Sequence, residues 1–209
     1  MRETYRLALD TAPGERLGLP HYREEFAERH HHVRARDSWK FERRQHFVEL
    51  NSPSYDAFRA GRWEESLLLM DNRRESLRDA MRERREQGTV FHRVRVVEEP
   101  LTPYLQWELR SLGVQAECGA AIRVVPGERV RRFEQSGELP EVVALGGQTL
   151  YHVLYTPEGV AEGAIRVGDP ELLGQWEAFI ADLYADGEDV TSYVDRYVAG
   201  LPPPQVARR

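Results

Sequence analysis

Three arginines are the residues whose type and spacing come closest to chemistry in this sequence. Arg93 and Arg95 stand two apart in Phe91-His92-Arg93-Val94-Arg95-Val96-Val97, and Arg123 sits in Ile122-Arg123-Val124-Val125. Both runs read as strands, and a spacing of two puts Arg93 and Arg95 on one face. Guanidinium groups take phosphate or carboxylate in a two-point grip, so one reading is an Arg-lined cleft for a small anionic ligand or a nucleotide. Glu99 and Glu108 lie close enough in the chain to turn the same arginines into a structural ion network, and this second reading is the favoured one. In an open α/β sheet a ligand sits beyond the carboxyl ends of the strands. That places Glu98, Glu99, Thr102 and Tyr104 after the first strand, and Glu128 and Arg129 after the second. The candidate binding set is Arg93, Arg95, Glu98, Glu99, Thr102, Tyr104, Glu108, Arg123 and Arg129. His92 and His152 fall on expected strands and read as structural histidines.

Other chemistries are narrowed by what the chain lacks. Of 29 basic residues only Lys40 is a lysine. No Gly-Lys pair exists, so there is no P-loop, and any Schiff base would have to use Lys40. The G-x-G-x-x-G, G-x-S-x-G, H-E-x-x-H and C-x-x-C patterns are also missing. Cys118 follows Glu117, whose charge disfavours a thiolate, and it reads as inert. His30-His31-His32 are consecutive and cannot share one face, so they read as a solvated run and not as a metal site. No catalytic residue, metal or cofactor is expected.

The elements that must position the arginines follow from periodicity and punctuation. Residues 1–38 read as an N-terminal extension, poorly ordered or partly helical, because their apolar content is too low to specify packing. An α/β domain is expected over 39–199, and 200–209, with Pro202-Pro203-Pro204, reads as a flexible tail. Phe41 to Leu50 reads as a strand or extended segment. Ser52-Pro53, Thr102-Pro103 and Asp169-Pro170 are helix starts. A long amphipathic helix is expected from Arg62 to Gln87, closed by Gly88. Trp63, Leu67, Met70, Leu77 and Met81 form its apolar stripe. Its other face pairs Asp71 with Arg74, Glu75 with Arg78 and Asp79 with Arg82 at i, i+3. The helix from Pro103 is expected to end near Gly113. Gly146-Gly147-Gln148 signals a hairpin, and Thr156 to Gly159 a further turn. Strands are expected at 142–145, 150–155 and 160–167, and a last helix at 190–199. The sum is a mixed α/β fold: one mixed sheet with β-hairpins, flanked by helices.

The whole chain has 209 residues and a formal charge of -6, with 41% hydrophobic residues. That suits a globular protein and argues against direct nucleic-acid binding. The long helix repeats the point, because 62–87 holds seven arginines and seven acids. No apolar run is long enough for a membrane span or a signal peptide, and a single cysteine fits a reducing compartment, so a cytoplasmic location is expected.

The run from Phe91 to Leu109, with its R-V-R-V-V-x-E-P-L-T-x-Y core, Ile122 to Val125, Leu139 to Tyr155 and Asp169-Pro170 together resemble an actinobacterial, Streptomyces-type family of unknown function. The likeness covers about Trp39 to Ala199. Its members are often encoded beside helix-turn-helix regulators. The resemblance implies a regulatory or interaction protein whose partner is such a regulator, and it implies no catalytic residues. The expected strand order is also similar to a degenerate half of a phospholipase-D-like sheet, which would leave a divergent phosphodiester-active enzyme as an alternative. The H-x-K-x-x-x-x-D signature of that superfamily is absent here.

Overall fold

The structure is a computed structural model that describes residues 5–9 and 12–205. Three helices begin where the sequence supplies a polar cap followed by proline. Ser52 opens α2 (Pro53–Arg59), Thr102 opens α5 (Pro103–Glu117), and Asp169 opens α6 (Pro170–Asp186). Thr102 Oγ1 accepts the Leu105 N–H at 3.1 Å, and Asp169 Oδ1 accepts those of Glu171 and Leu172 at 2.9 and 3.1 Å. Each cap satisfies amides that the first helical turn leaves without a partner.

The strands are β1 (Gly14–Gly18), β2 (Ser38–Glu42), β3 (Phe91–Val97), β4 (Ala121–Pro126), β5 (Glu141–Leu145), β6 (Thr149–Tyr155), β7 (Ala161–Val167) and β8 (Glu188–Asp189). They form one mixed eight-stranded sheet in the order β1-β7-β6-β5-β2-β3-β4-β8. β2, β3 and β4 run parallel, and the other neighbours pair antiparallel. The expected mixed α/β architecture is therefore present. At the β5–β6 hairpin, Gly146 and Gly147 both take positive φ, 56° and 65°, as a two-glycine turn allows.

Alternation along the strands sends two sets of side chains to two faces. Phe41, Val94, Val96, Val142 and Ala144 meet α6, whose Trp176, Phe179, Ile180 and Leu183 are completely buried. Each such side chain contributes roughly 1.5–3 kcal/mol from burial. On the opposite face, Val97, Ile122 and Val124 pack beneath α5 and α7 (Val190–Tyr197). Further along that face, Val143, Tyr151 and Val153 meet Tyr22 and Phe26 of α1 (Leu19–His32).

Four local expectations are corrected. The stretch read as a partly helical extension holds helix α1 and also adds a strand to the sheet: β1 pairs along β7 from Gly14↔Val167 to Gly18↔Gly163. Their apolar anchors are few, chiefly Leu17, Tyr22 and Phe26, too sparse a pattern to read from sequence, and the β7 ladder and Glu25, bonded to Tyr151 and Arg166, complete the attachment. Residues 1–4, 10–11 and 206–209 lie outside the described residues.

The long helix is two helices, α3 (Trp63–Asp71) and α4 (Arg74–Glu86). Met70 is buried under α5, whereas α4 buries no residue, and the break falls between them at Asn72, a poor helix former. Two of the three expected pairs form, Arg74–Asp71 at 2.9 Å and Arg82–Asp79 at 2.6 Å. The Phe41 strand stops at Glu42, because the next two amides, of Arg43 and Arg44, donate to Glu141 Oε1 and not to a neighbouring strand. Finally, α5 continues past Gly113. That position packs against Val194 of α7, and a Cβ there would lie in ordinary contact, 3.5 Å from Val194 Cγ2.

Candidate functional site

Three parallel strands end side by side, at Glu42, Val97 and Pro126. The residues just beyond them are Arg43, Glu98 and Gly127, and they meet. The Arg43 guanidinium grips Glu134 at two points, Nε to Oε1 at 2.6 Å and Nη2 to Oε2 at 3.0 Å. Its Nη2 also donates to Glu98 Oε1 at 2.9 Å, and Arg131 Nη2 donates to Glu98 Oε2 at 3.1 Å. Gly127 makes room for this carboxylate: a Cβ there would stand 2.0 Å from Glu98 Oε1. Gln45 closes the crevice from behind, with Oε1 accepting the Glu98 N–H at 2.8 Å and Nε2 donating to the Val96 carbonyl at 3.0 Å. Thr102 Oγ1, besides capping α5, donates to the Gln45 carbonyl at 3.0 Å. The chain thus places its own carboxylate, between two guanidiniums, where an open sheet would offer space to an anion.

A second ionic group lies on the α5 side of the sheet. Arg95 has no exposed surface. Its Nε donates to Glu108 Oε2 at 2.8 Å, and Nη1 donates to the carbonyls of Glu42 and Val96 at 3.3 and 3.0 Å. Its Nη2 finds no partner among the described residues, and Cζ lies 5.6 Å from the Phe47 ring centre. Burial works against the Arg95 charge, and Glu108 and Glu42 outweigh it. Glu108 is pushed above the ordinary carboxylate range by its own burial, against the pull of Arg95. Lys40 Nζ reaches Glu42 Oε1 at 2.6 Å, and Arg93 Nε approaches Oε2 at 3.6 Å. Burial would raise the Glu42 carboxyl, but Arg93 and Lys40 bring it down to about 2.

The sequence-derived residues therefore do not form one cleft. Arg93 and Arg95 share a face, but Arg123 pairs in register with Val94 and projects to the opposite face. There its Cζ lies 5.5 Å from the ring centre of Tyr184 on α6. Of the two acids offered as partners, Glu108 holds Arg95, while Glu99 is exposed. Tyr104 donates to Glu49 Oε1 at 2.8 Å, and Arg129 pairs with Asp186 at 2.7 Å near the surface. His92 Nε2 lies 3.0 Å from Asp37 Oδ2, and its ring stacks on Trp39 at 4.1 Å. Cys118 is buried, with Sγ 3.6 Å from the Arg74 carbonyl.

Arg43, Gln45, Arg131, Glu134 and Glu141 were missed. Four of them lie in coil or 3-10 turns, where no periodicity marks them. Lys40 and Glu42 carry a usable signal: they alternate with Trp39 and Phe41, an unusual polar face for a central strand.

Glu141 opens β5. Its Oε1 accepts the Arg43 and Arg44 amides at 2.9 and 2.7 Å, and its Oε2 has no partner among the described residues. Burial pushes this carboxyl up to about 7. Beside it is a cavity of about 990 Å³, lined in part by Arg44, Glu138, Glu141 and His152. Among the described residues no group of three or more His, Cys, Asp or Glu is arranged to hold a metal ion. No helix among them is long and apolar enough to cross a membrane.

No curated protein matches the chain. A family described as Domain of unknown function (DUF6879) matches residues 24–195, from within α1 to within α7, and so takes in both ionic groups. By that match over most of its length, the chain belongs to the DUF6879 family.

Proposed function

We propose that the protein is a non-enzymatic cytoplasmic regulator that acts by binding a helix-turn-helix transcription factor. The observation that carries this reading is where the charged side chains are used. Arg95 pairs with Glu108, Glu42 with Lys40 and Arg93, and Arg43 with Glu134, all inside the fold. By contrast α4, thirteen residues long, buries none of its side chains. A half-buried stripe of Arg74, Leu77, Met81 and Arg84 holds it to the fold, and the rest of its surface is exposed. Its regular rows of arginines and acids suit a partner with a complementary charge pattern, which gives specificity and fast association. The partner class comes from the actinobacterial resemblance, in which the gene lies beside a helix-turn-helix regulator. The net charge of -6 speaks against DNA itself as the direct partner.

The test is co-purification of the full chain with the regulator encoded next to it, followed by size-exclusion chromatography. A stable complex is expected. The double variant Arg78→Glu with Arg82→Glu should lose the complex while keeping its circular dichroism spectrum. Two proteins that elute separately at micromolar concentration would overturn the reading.

A further inference from the structure

Helix α6 covers β2 to β5 and leaves the same face of β6 without a helix. That part of the sheet is covered by coil at residues 5–9 and by a 3-10 turn followed by coil over 131–140. Coil fills space less regularly than a helix, and between these two segments lies the cavity of about 990 Å³. This is at the upper end of the roughly 300–1,000 Å³ that small-molecule sites occupy. Leu7, Leu9, Phe133, Leu139 and Leu154 give it apolar walls.

The charged groups that line the same space are Arg44, Arg132, Glu138 and Glu141; Glu138 lies 3.6 Å from Arg43 Nη1, and Glu141 holds the Arg43 and Arg44 amides. Arg44 is half-buried, and its Nη2 donates to the carbonyls of Thr156 and Pro157 at 3.2 and 3.1 Å. No carboxylate forms an ion pair with it among the described residues, and its Nε is buried without a hydrogen-bond partner. Its charge is thus fixed in place by two carbonyls and a ring, Tyr155 at 5.9 Å, and is left without a counterion. A half-desolvated guanidinium of this kind is completed by an anion with two oxygens.

We propose that this cavity binds a small amphipathic organic anion, its carboxylate held by Arg44 and its apolar body against Leu7, Leu9, Phe133 and Leu154. The site is distinct from the strand-end crevice, where Glu98 already fills the anion position. It does not depend on the regulator partnership.

The experiment uses 1-anilinonaphthalene-8-sulfonate as a fluorescent reporter on the full chain, displaced by decanoate or by decan-1-ol. One saturable site is expected, with decanoate the better competitor by about tenfold or more, the worth of one charge-assisted contact. Leu154→Trp fills the cavity and should abolish reporter binding. Arg44→Gln should remove the preference for decanoate over decanol and leave decanol competition unchanged. Arg44→Met, also uncharged, provides the same comparison should Arg44→Gln unfold, and thermal melts identify that case. Absent saturable binding, equal competition by acid and alcohol, or binding unchanged in Leu154→Trp in a folded protein would overturn the proposal.

Discussion

Arg95 is a charged side chain with no exposed surface, and its cost is offset by geometry more than by number of contacts. A buried ion pair recovers its desolvation penalty only when its hydrogen bonds are well made, and Arg95 makes three of them. Arg95→Met leaves Glu108 buried and unpaired, and should cost about 3–5 kcal/mol in urea unfolding. Adding Glu108→Leu should recover most of that loss, and a double variant as unstable as the single one would show that the pair is not the cause. Glu141 behaves in the opposite sense. It is surrounded by Arg43 and Arg44 beyond β2, Glu42 on β2, Arg95 on β3 and Tyr155 on β6. Its carboxyl has a pKa of about 7 in the fold against an ordinary 4.5. Between those values the folded chain holds a proton that the unfolded chain has released. Stability therefore falls as pH rises through that window, and the full penalty stands above it. Glu141→Gln should gain up to about 3 kcal/mol at about pH 8 and progressively less toward pH 4.5. Parallel stability curves for the two proteins across that range would contradict this. Arg95 and Glu108 were both legible as candidates because they lie on regular elements. Arg43 and Glu141 were not, because what unites them is a strand that stops early and hands its amides to a carboxylate.

At the scale of elements, local punctuation was readable and tertiary compensation was not. The caps at Thr102 and Asp169 and the Gly146-Gly147 turn act through neighbours within three residues, so the sequence states them directly. Gly113 reads as a stop from the same local rules, yet α5 runs through it, packed against Val194 of α7 about eighty residues on in the chain. The split of α3 from α4 has a similar origin, since burial of Met70 depends on where α5 lies. Strand β1 is the clearest case. It has one buried residue, Leu17, and is specified mainly by the edge of β7 that receives it. Gly163 allows that approach, because a Cβ there would stand 2.0 Å from the Leu17 carbonyl oxygen. Gly163→Ala should therefore detach β1, seen as faster amide hydrogen exchange at residues 14–18 with β3 and β4 unaffected. Unchanged exchange at 14–18 would mean that β1 is held by something other than this close contact.

Across the whole molecule, charge is divided by location. The interior pairs arginine with glutamate on the strand ends and on the α5 face, and the exterior carries paired rows on α4. The fold class was legible because strand, turn and helix signals alternate in a consistent order. The three-arginine cleft was not realised, because the β3–β4 register sets Arg123 opposite Val94, between Arg93 and Arg95, and so on the other face. The family match extends over the sheet from β2 to β8, and the functional reading rests on the charged exterior. The most direct measurement is a gel-shift titration of the proposed partner, a helix-turn-helix regulator encoded beside it, on that regulator's operator, at fixed salt, with and without this protein. The account predicts a change of about fivefold or more in the regulator's apparent affinity, lost with Arg78→Glu and Arg82→Glu. Superimposable titration curves at saturating protein would contradict it.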